Sequence, residues 1–114
     1  MNIEDKLIWK VKKWVKETNI VDVDESDFYN PLGWKDGYSV HKKQEKELRD
    51  GIKKMVYVVS FRSTDYVERN DKGEVISCLE GSYFSAFFDA ETLEPIYIIG
   101  KTSYIEPDGT IIRL

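Results

Sequence analysis

Cysteine and histidine are almost absent from this chain of 114 residues, which has one of each, Cys78 and His41. A single cysteine excludes a disulfide within the chain. A structural zinc site needs about four nitrogen or sulfur ligands, which one histidine and one cysteine cannot supply. The sequence therefore excludes a disulfide scaffold and a closed zinc site, and this cysteine usage is typical of a reducing compartment.

Long apolar runs are also missing. No stretch approaches the roughly 20 apolar residues that a membrane-spanning helix needs, and the first residues, Met1 to Lys6, contain no apolar core of a signal peptide. The net charge of −4 is unlike that of a nucleic-acid-binding domain, which usually has a basic surface. We therefore expect a cytoplasmic protein with neither a membrane nor a nucleic acid as its partner.

The usual catalytic and cofactor patterns are absent as well. No serine lies in a Gly-x-Ser-x-Gly turn, the glycines are scattered rather than grouped in a phosphate loop, and His41 is the only ordinary general base. The spacing of Asp22, Asp24 and Asp27 faintly resembles a calcium loop, but Asp27 and Gly33 stand where that loop needs Gly and Glu. We expect no catalytic, cofactor or metal-binding residue and a protein that is not an enzyme.

Apolar residues, by contrast, are plentiful and periodic. Hydrophobic residues make up 41% of the chain and aromatic residues 13%, enough for the core of one domain over residues 1–114. Residues 2–18 have the period of an amphipathic helix, with Asn2 as the predicted N-cap. Its predicted buried face comprises Ile3, Leu7, Ile8, Val11, Trp14 and Val15.

The rest of the chain predicts strands joined by tight turns. Alternation in residues 52–63 places Tyr57, Val59 and Phe61 on one face of a central strand. The last third reads as three strands separated by the turns 89–94 and 107–109, and a further short strand is predicted at 38–41. Residues 42–50 could be an exposed strand that runs into a hairpin turn at Asp50 and Gly51, or a polar helix; the strand is favoured because Gly51 immediately precedes the central strand. Residues 66–69 and 74–78 predict another hairpin or an extended loop. We predict an α+β fold in which the N-terminal helix packs on a curved antiparallel sheet of about four to six strands.

Charge is unevenly distributed along the chain. Residues 19–34 contain four acids and no base, whereas residues 1–18 contain five lysines and three acids. Segregated charge can steer a charged partner, although an ordinary solvated surface would give the same pattern. The candidate partner-binding acids are Asp22, Asp24, Glu25 and Asp27.

Two tryptophans are further candidates for partner binding. Trp9 is predicted to lie opposite the apolar face of the helix, among lysines, where an indole could anchor a protein interface. The alternative is that the acidic segment or a strand covers Trp9, because large aromatic side chains are usually buried. Trp34, in the turn Gly33–Gly37, could likewise be an anchor or a lid on the core.

Two segments resemble a known class of protein. Lys54–Phe61, and Tyr83–Gly100 followed by Ser103–Glu106, resemble small bacterial immunity-type proteins with a nuclear-transport-factor-like or cystatin-like fold. The turn around Asp89 also looks like the last hairpin of PepSY-type modules, with Leu93 where those modules have glycine. The resemblance implies a helix packed into a curved sheet, and it carries no catalytic residue.

The leading hypothesis is a non-enzymatic immunity protein that neutralises a bacterial toxin domain by direct binding and occlusion. A basic toxin such as a nuclease would suit the acidic segment. One alternative is a small-ligand-binding or enzymatic cone with a polar floor. A PepSY-like regulatory module acting on a peptidase is another. The candidates for the polar floor are Tyr57, Tyr83, Tyr97 and His41.

Overall fold

An N-terminal helix and two antiparallel sheets make up the part of the chain that the computed structural model describes, residues 2–18, 37–63, 66–79, 83–101 and 103–113. The helix packs on the larger sheet, which is curved and open. The α+β class predicted from the sequence is confirmed.

Helix α1 spans Ile3–Thr18 and begins where the sequence predicts. The side chain of Asn2 accepts a hydrogen bond from the backbone N–H of Asp5 at 2.8 Å, so Asn2 is the N-cap. Five of the six residues predicted for the apolar face are buried, Leu7, Ile8, Val11, Trp14 and Val15, while Ile3 in the first turn is 43% exposed. Apolar periodicity therefore identified the buried face correctly, except where the helix begins.

The strands are short, apart from the central one. Their bounds are β1 Tyr38–Val40, β2 Gln44–Glu47, β3 Lys53–Arg62, β4 Tyr66–Arg69, β5 Val75–Leu79, β6 Tyr83–Asp89, β7 Pro95–Ile99, β8 Ser103–Ile105 and β9 Ile111–Arg113. The larger sheet has seven strands in the order β1-β3-β6-β7-β8-β9, and β2 also pairs with β3, whereas β4 and β5 form a separate two-stranded sheet. Strands β1 and β2 share one edge of β3, which is one reason why the sheet has more strands than predicted.

The register of β3 against β6 assembles the core. Phe61 pairs with Phe84, and Tyr57 pairs with Phe88. Directly opposed residues lie on the same face of a sheet, and this face packs against α1. The rings of Phe61 and Phe84 stack with centroids 5.6 Å apart, while the ring of Phe88 meets that of Trp14 edge to face at 5.8 Å. These aromatic contacts join β3 to β6 and the sheet to the helix.

The turn between β6 and β7 has a residue with a left-handed backbone. Leu93 has φ 61°, a conformation that costs a residue with a side chain roughly 1 kcal/mol. This is the position at which the resembling PepSY hairpins have glycine. Leu93 is partly buried against the core, and the apolar area that it buries offsets this cost.

Asp89 holds the same turn through three hydrogen bonds. Its Oδ1 accepts from the backbone N–H groups of Glu91 at 2.8 Å and Thr92 at 3.3 Å. Its Oδ2 lies 2.7 Å from Nζ of Lys54 on β3. The hydrogen bond from Lys54 and then those from the backbone lower the pKa of Asp89 below its ordinary value of 3.8, and the same pair raises the pKa of Lys54 above 10.5.

These pKa shifts predict how the stability depends on pH. The contribution of Asp89 is present above its unfolded pKa of 3.8 and is lost as the pH falls through the lower pKa of the folded state. That of Lys54 is present below 10.5 and is lost as the pH rises through its raised folded pKa. In thermal unfolding, Asp89→Asn should therefore have a lower midpoint than the wild type at neutral pH, and the difference should shrink below pH 3.8.

The matched control is Asp71→Asn, since Asp71 is exposed in the turn between β4 and β5. Its midpoint should follow that of the wild type at every pH. A difference between wild type and Asp89→Asn that stayed constant through the acid range would contradict the assignment.

Candidate functional site

Trp9 is the most unusual residue on the surface of α1. The residues that precede and follow it on the inward face, Ile8 and Val11, are buried, but Trp9 is 53% exposed. The ammonium of Lys13, one turn further on, lies 5.3 Å from the centre of the Trp9 ring. This cation–π contact restrains the indole at the surface without covering it.

The exposed indole stands at a groove beside the helix. The groove has a volume of about 200 Å³. One wall comes from α1, and the other comes from β6, β7 and the turn between β8 and β9, because it is lined by Trp9, Lys10, Lys13, Trp14, Glu17, Phe88, Pro95 and Pro107. The lining is mostly aromatic rings and prolines, with charged side chains along the helix. Of these lining residues, only Trp9 was predicted from the sequence as a site residue.

Trp14, which also lines the groove, has a buried polar atom. Its side chain is 6% exposed, and its indole Nε1 is buried with no hydrogen-bond acceptor among the residues that the structure describes. An unsatisfied buried donor costs about 1–3 kcal/mol. Burial of the rest of the ring against Phe88 offsets this cost.

The electrostatic character of the helix surface is basic. Helix α1 carries five lysines against Glu4, Asp5 and Glu17. Among the described residues that line the groove, Glu17 is the only acid, and its carboxylate lies 3.9 Å from the ammonium of Lys13. Glu4 and Asp5 lie in the first turn, away from the groove. The groove therefore favours an acidic or neutral partner surface over a basic one.

The remaining partner-binding residues predicted from the sequence are outside the described residues. Asp22, Asp24, Glu25, Asp27 and Trp34 fall in residues 19–36. Their role, alone or together with Trp9, stays a prediction.

The residues predicted to form the polar floor of a cone do not converge. Tyr57 packs against the core between helix and sheet. Tyr97 is buried on the opposite face of the sheet. The guanidinium carbon of Arg49 lies 5.5 Å from the centre of its ring. Tyr83 is 61% exposed, and His41 is exposed beyond the end of β1. Among the described residues, buried core side chains of α1 and of the sheet pack against each other.

The described residues contain no group of three or more histidine, cysteine or carboxylate side chains placed to hold a metal ion. Nor does any helix among them combine the length and the apolar character needed to cross a membrane.

Comparisons with known proteins do not assign the chain to a family. No family model, curated protein or solved structure matches it.

Proposed function

We propose that this chain is a non-enzymatic binding protein of the immunity type, which neutralises a bacterial toxin domain by direct binding and occlusion. The exposed Trp9 at the mouth of an aromatic groove is the observation that supports the proposal most strongly. Tryptophan is enriched among the few residues that dominate protein interfaces, and such anchors usually work beside a pocket. The packing of α1 on the sheet through described core side chains also favours this function over that of a ligand-binding cone.

The lining of the groove supports a particular chemistry for the partner surface. Trp9, Phe88 and the two prolines would contact an apolar or aromatic side chain. Lys10 and Lys13 would pair with carboxylates around it. The partner therefore presents an acidic patch with a protruding apolar residue, and charge complementarity raises the association rate more than the final affinity.

The acidic segment has a separate part in the proposal. Asp22, Asp24, Glu25 and Asp27 would contact a basic region of the same toxin, such as the nucleic-acid-binding surface of a nuclease. Trp34 would be a second anchor. Both contacts are inferred from the sequence alone.

The test is co-expression with the product of the adjacent reading frame in the source genome. If that product has a toxic C-terminal domain, cells should survive only when this chain is also made, and the two proteins should purify together. Absence of a complex together with failure to rescue would contradict the proposal. A complex without rescue would favour the PepSY-like regulatory alternative.

Trp9→Ala should weaken binding to that toxin at least about tenfold and leave folding intact. The loss reflects removal of an interface anchor. The thermal midpoint should barely change, because substitutions at exposed positions usually alter the free energy of unfolding by less than about 0.5 kcal/mol. Calorimetric titration and thermal unfolding measure the two effects separately.

Tyr83→Ala is the matched control, because Tyr83 is an exposed aromatic residue that does not line the groove. Its toxin affinity should equal that of the wild type. Equal losses in the two variants, or unfolding of Trp9→Ala, would show that Trp9 is not an anchor. Trp34→Ala provides the same test for the segment outside the described residues.

A further inference from the structure

The sheet face turned away from α1 carries a row of serines. Ser39 on β1 pairs with Ser60 on β3, and Ser60 pairs with Ser85 on β6. Because directly opposed residues share a face, the three hydroxyls lie on one line across three strands. The Oγ atoms of Ser60 and Ser85 are 3.4 Å apart, and both side chains are half-buried.

His41 extends this row at the edge of the sheet. Its backbone N–H donates to the carbonyl of Val58 at 2.9 Å, which continues the pairing of β1 with β3 beyond the end of β1. This pairing places the imidazole on the serine face, where Nε2 lies 2.9 Å from Oγ of Ser60. The imidazole and the hydroxyls of Ser60 and Ser85 thus form one hydrogen-bonded chain.

The hydrogen-bonded side chains of His41, Ser60 and Ser85 border an open depression of about 310 Å³. Both polar and apolar groups line it, since the lining comprises His41, Gln44, Lys46, Ser60 and Ser85 together with Val58, Phe87 and Ile99. Strand β2 contributes Gln44 and Lys46 because its register against β3 sets both on this face, opposite Val56 and Lys54. None of these described lining residues is acidic.

This arrangement suits binding better than catalysis. A serine nucleophile needs a base that a third group holds in orientation. Among the hydrogen bonds of the described residues, none joins the other ring nitrogen of His41 to a carboxylate. The donors instead match an oxyanion, which accepts hydrogen bonds from ring N–H, hydroxyl, amide and ammonium groups.

We propose that this depression binds a small amphipathic organic anion, a carboxylate or phosphate monoester on an aromatic or short aliphatic body. The oxyanion lies against His41, Lys46 and the serine hydroxyls, and the body packs on Val58, Phe87 and Ile99. A site with a few convergent polar groups beside apolar residues is the usual form of a small-molecule site. This proposal is independent of the groove proposed to bind a protein, which is lined by α1 and by residues on the opposite side of the sheet.

The test is an NMR titration of the full chain, labelled with ¹⁵N, with phenyl phosphate and with benzoate. One or both should give saturable shifts at the amides of Ser60 and Ser85 and at the ring of His41. Ligands of this size bind an open site with a dissociation constant of about 1 mM. Inorganic phosphate lacks the apolar body, and benzyl alcohol lacks the anionic group. Each should therefore bind more weakly than the better of phenyl phosphate and benzoate.

Two lysines of the β2–β3 hairpin provide matched variants. Lys46 lines the depression, whereas Lys53 pairs with Glu47, and alternation along the strands sets it on the other face. Lys46→Gln should weaken binding of the better anion about fivefold, and Lys53→Gln should leave it unchanged. Both side chains are exposed, so both variants should keep the fold.

The comparison of phenyl phosphate with benzoate tells which oxyanion the site prefers. The proposal is overturned if neither anion gives saturable shifts, or if the shifts fall outside the depression. It is equally overturned if Lys46→Gln and Lys53→Gln change the affinity alike, because the attraction would then be that of a general positive surface.

Discussion

Phe88→Ala is expected to lower the free energy of unfolding by about 3–5 kcal/mol, the range for truncating a fully buried aromatic residue. Phe88 is 1% exposed and contacts helix and sheet together, because its ring meets Trp14 of α1 edge to face and its backbone pairs with Tyr57 of β3. Its removal would leave a cavity at the helix–sheet interface, where a strand cannot relax without disturbing its pairing. Denaturant unfolding monitored by circular dichroism measures the effect.

Tyr83→Ala on the same strand is the control for Phe88→Ala. Both replace a large aromatic residue of β6, but Tyr83 is 61% exposed. The control should cost less than about 1 kcal/mol. Similar losses in the two variants would mean that α1 is not docked on β6, and the central feature of the fold would be wrong.

Gly100→Ala is expected to destabilise the protein by about 1–3 kcal/mol, the usual cost of overpacking. A Cβ atom at residue 100 would lie 2.7 Å from Cε1 of Phe84 and 3.0 Å from its Cδ1. The ring cannot simply move away, since it stacks on Phe61, which is fully buried. The glycine is needed for space rather than for its backbone conformation, because Gly100 is not among the glycines with positive φ.

A double-mutant cycle with Phe84→Leu tests this explanation of Gly100. Leucine lacks the outer ring atoms that the new methyl group would meet, so Gly100→Ala should cost clearly less in the Phe84→Leu background than in the wild type. Gly51→Ala is a contrasting control, because nothing lies within 4 Å of its added Cβ and φ is +85°. Gly51→Ala should lower the free energy of unfolding by the same amount in the wild type and in the Phe84→Leu background. An equal cost for Gly100→Ala in both backgrounds would rule out the clash.

Local patterns predicted most of the secondary structure because they depend on neighbouring residues only. The period of the first helix identified its buried face, and alternation in β6 correctly separated Phe84 and Phe88 from Tyr83 and Phe87. The turn at Pro107–Gly109 was predicted from residues that favour its backbone angles. The sequence also has Leu93 where PepSY-type hairpins have glycine. The positive φ of Leu93 shows that this position has a left-handed backbone.

The candidate sites could not be predicted in the same way. Trp9 was identified as an outward-facing tryptophan, but nothing in the sequence indicates that Phe88, Pro95 and Pro107 surround it. They meet only because the sheet curves and the chain returns beside α1. In the same way, alternation predicts the face of Ser60, but only the strand register shows that Ser85 stands opposite.

The sequence by itself determined the α+β class, the helix with its cap and inward face, most strand positions, and the exclusion of disulfide and zinc chemistry. Each of these follows from composition or from a period of two to four residues. Only the tertiary structure decided that two faces of the sheet carry different surface features, an aromatic groove with lysines on one and a histidine–serine chain on the other. Strand order and register join residues that are far apart in the chain, so the energies that select them are non-local and leave no local pattern to read.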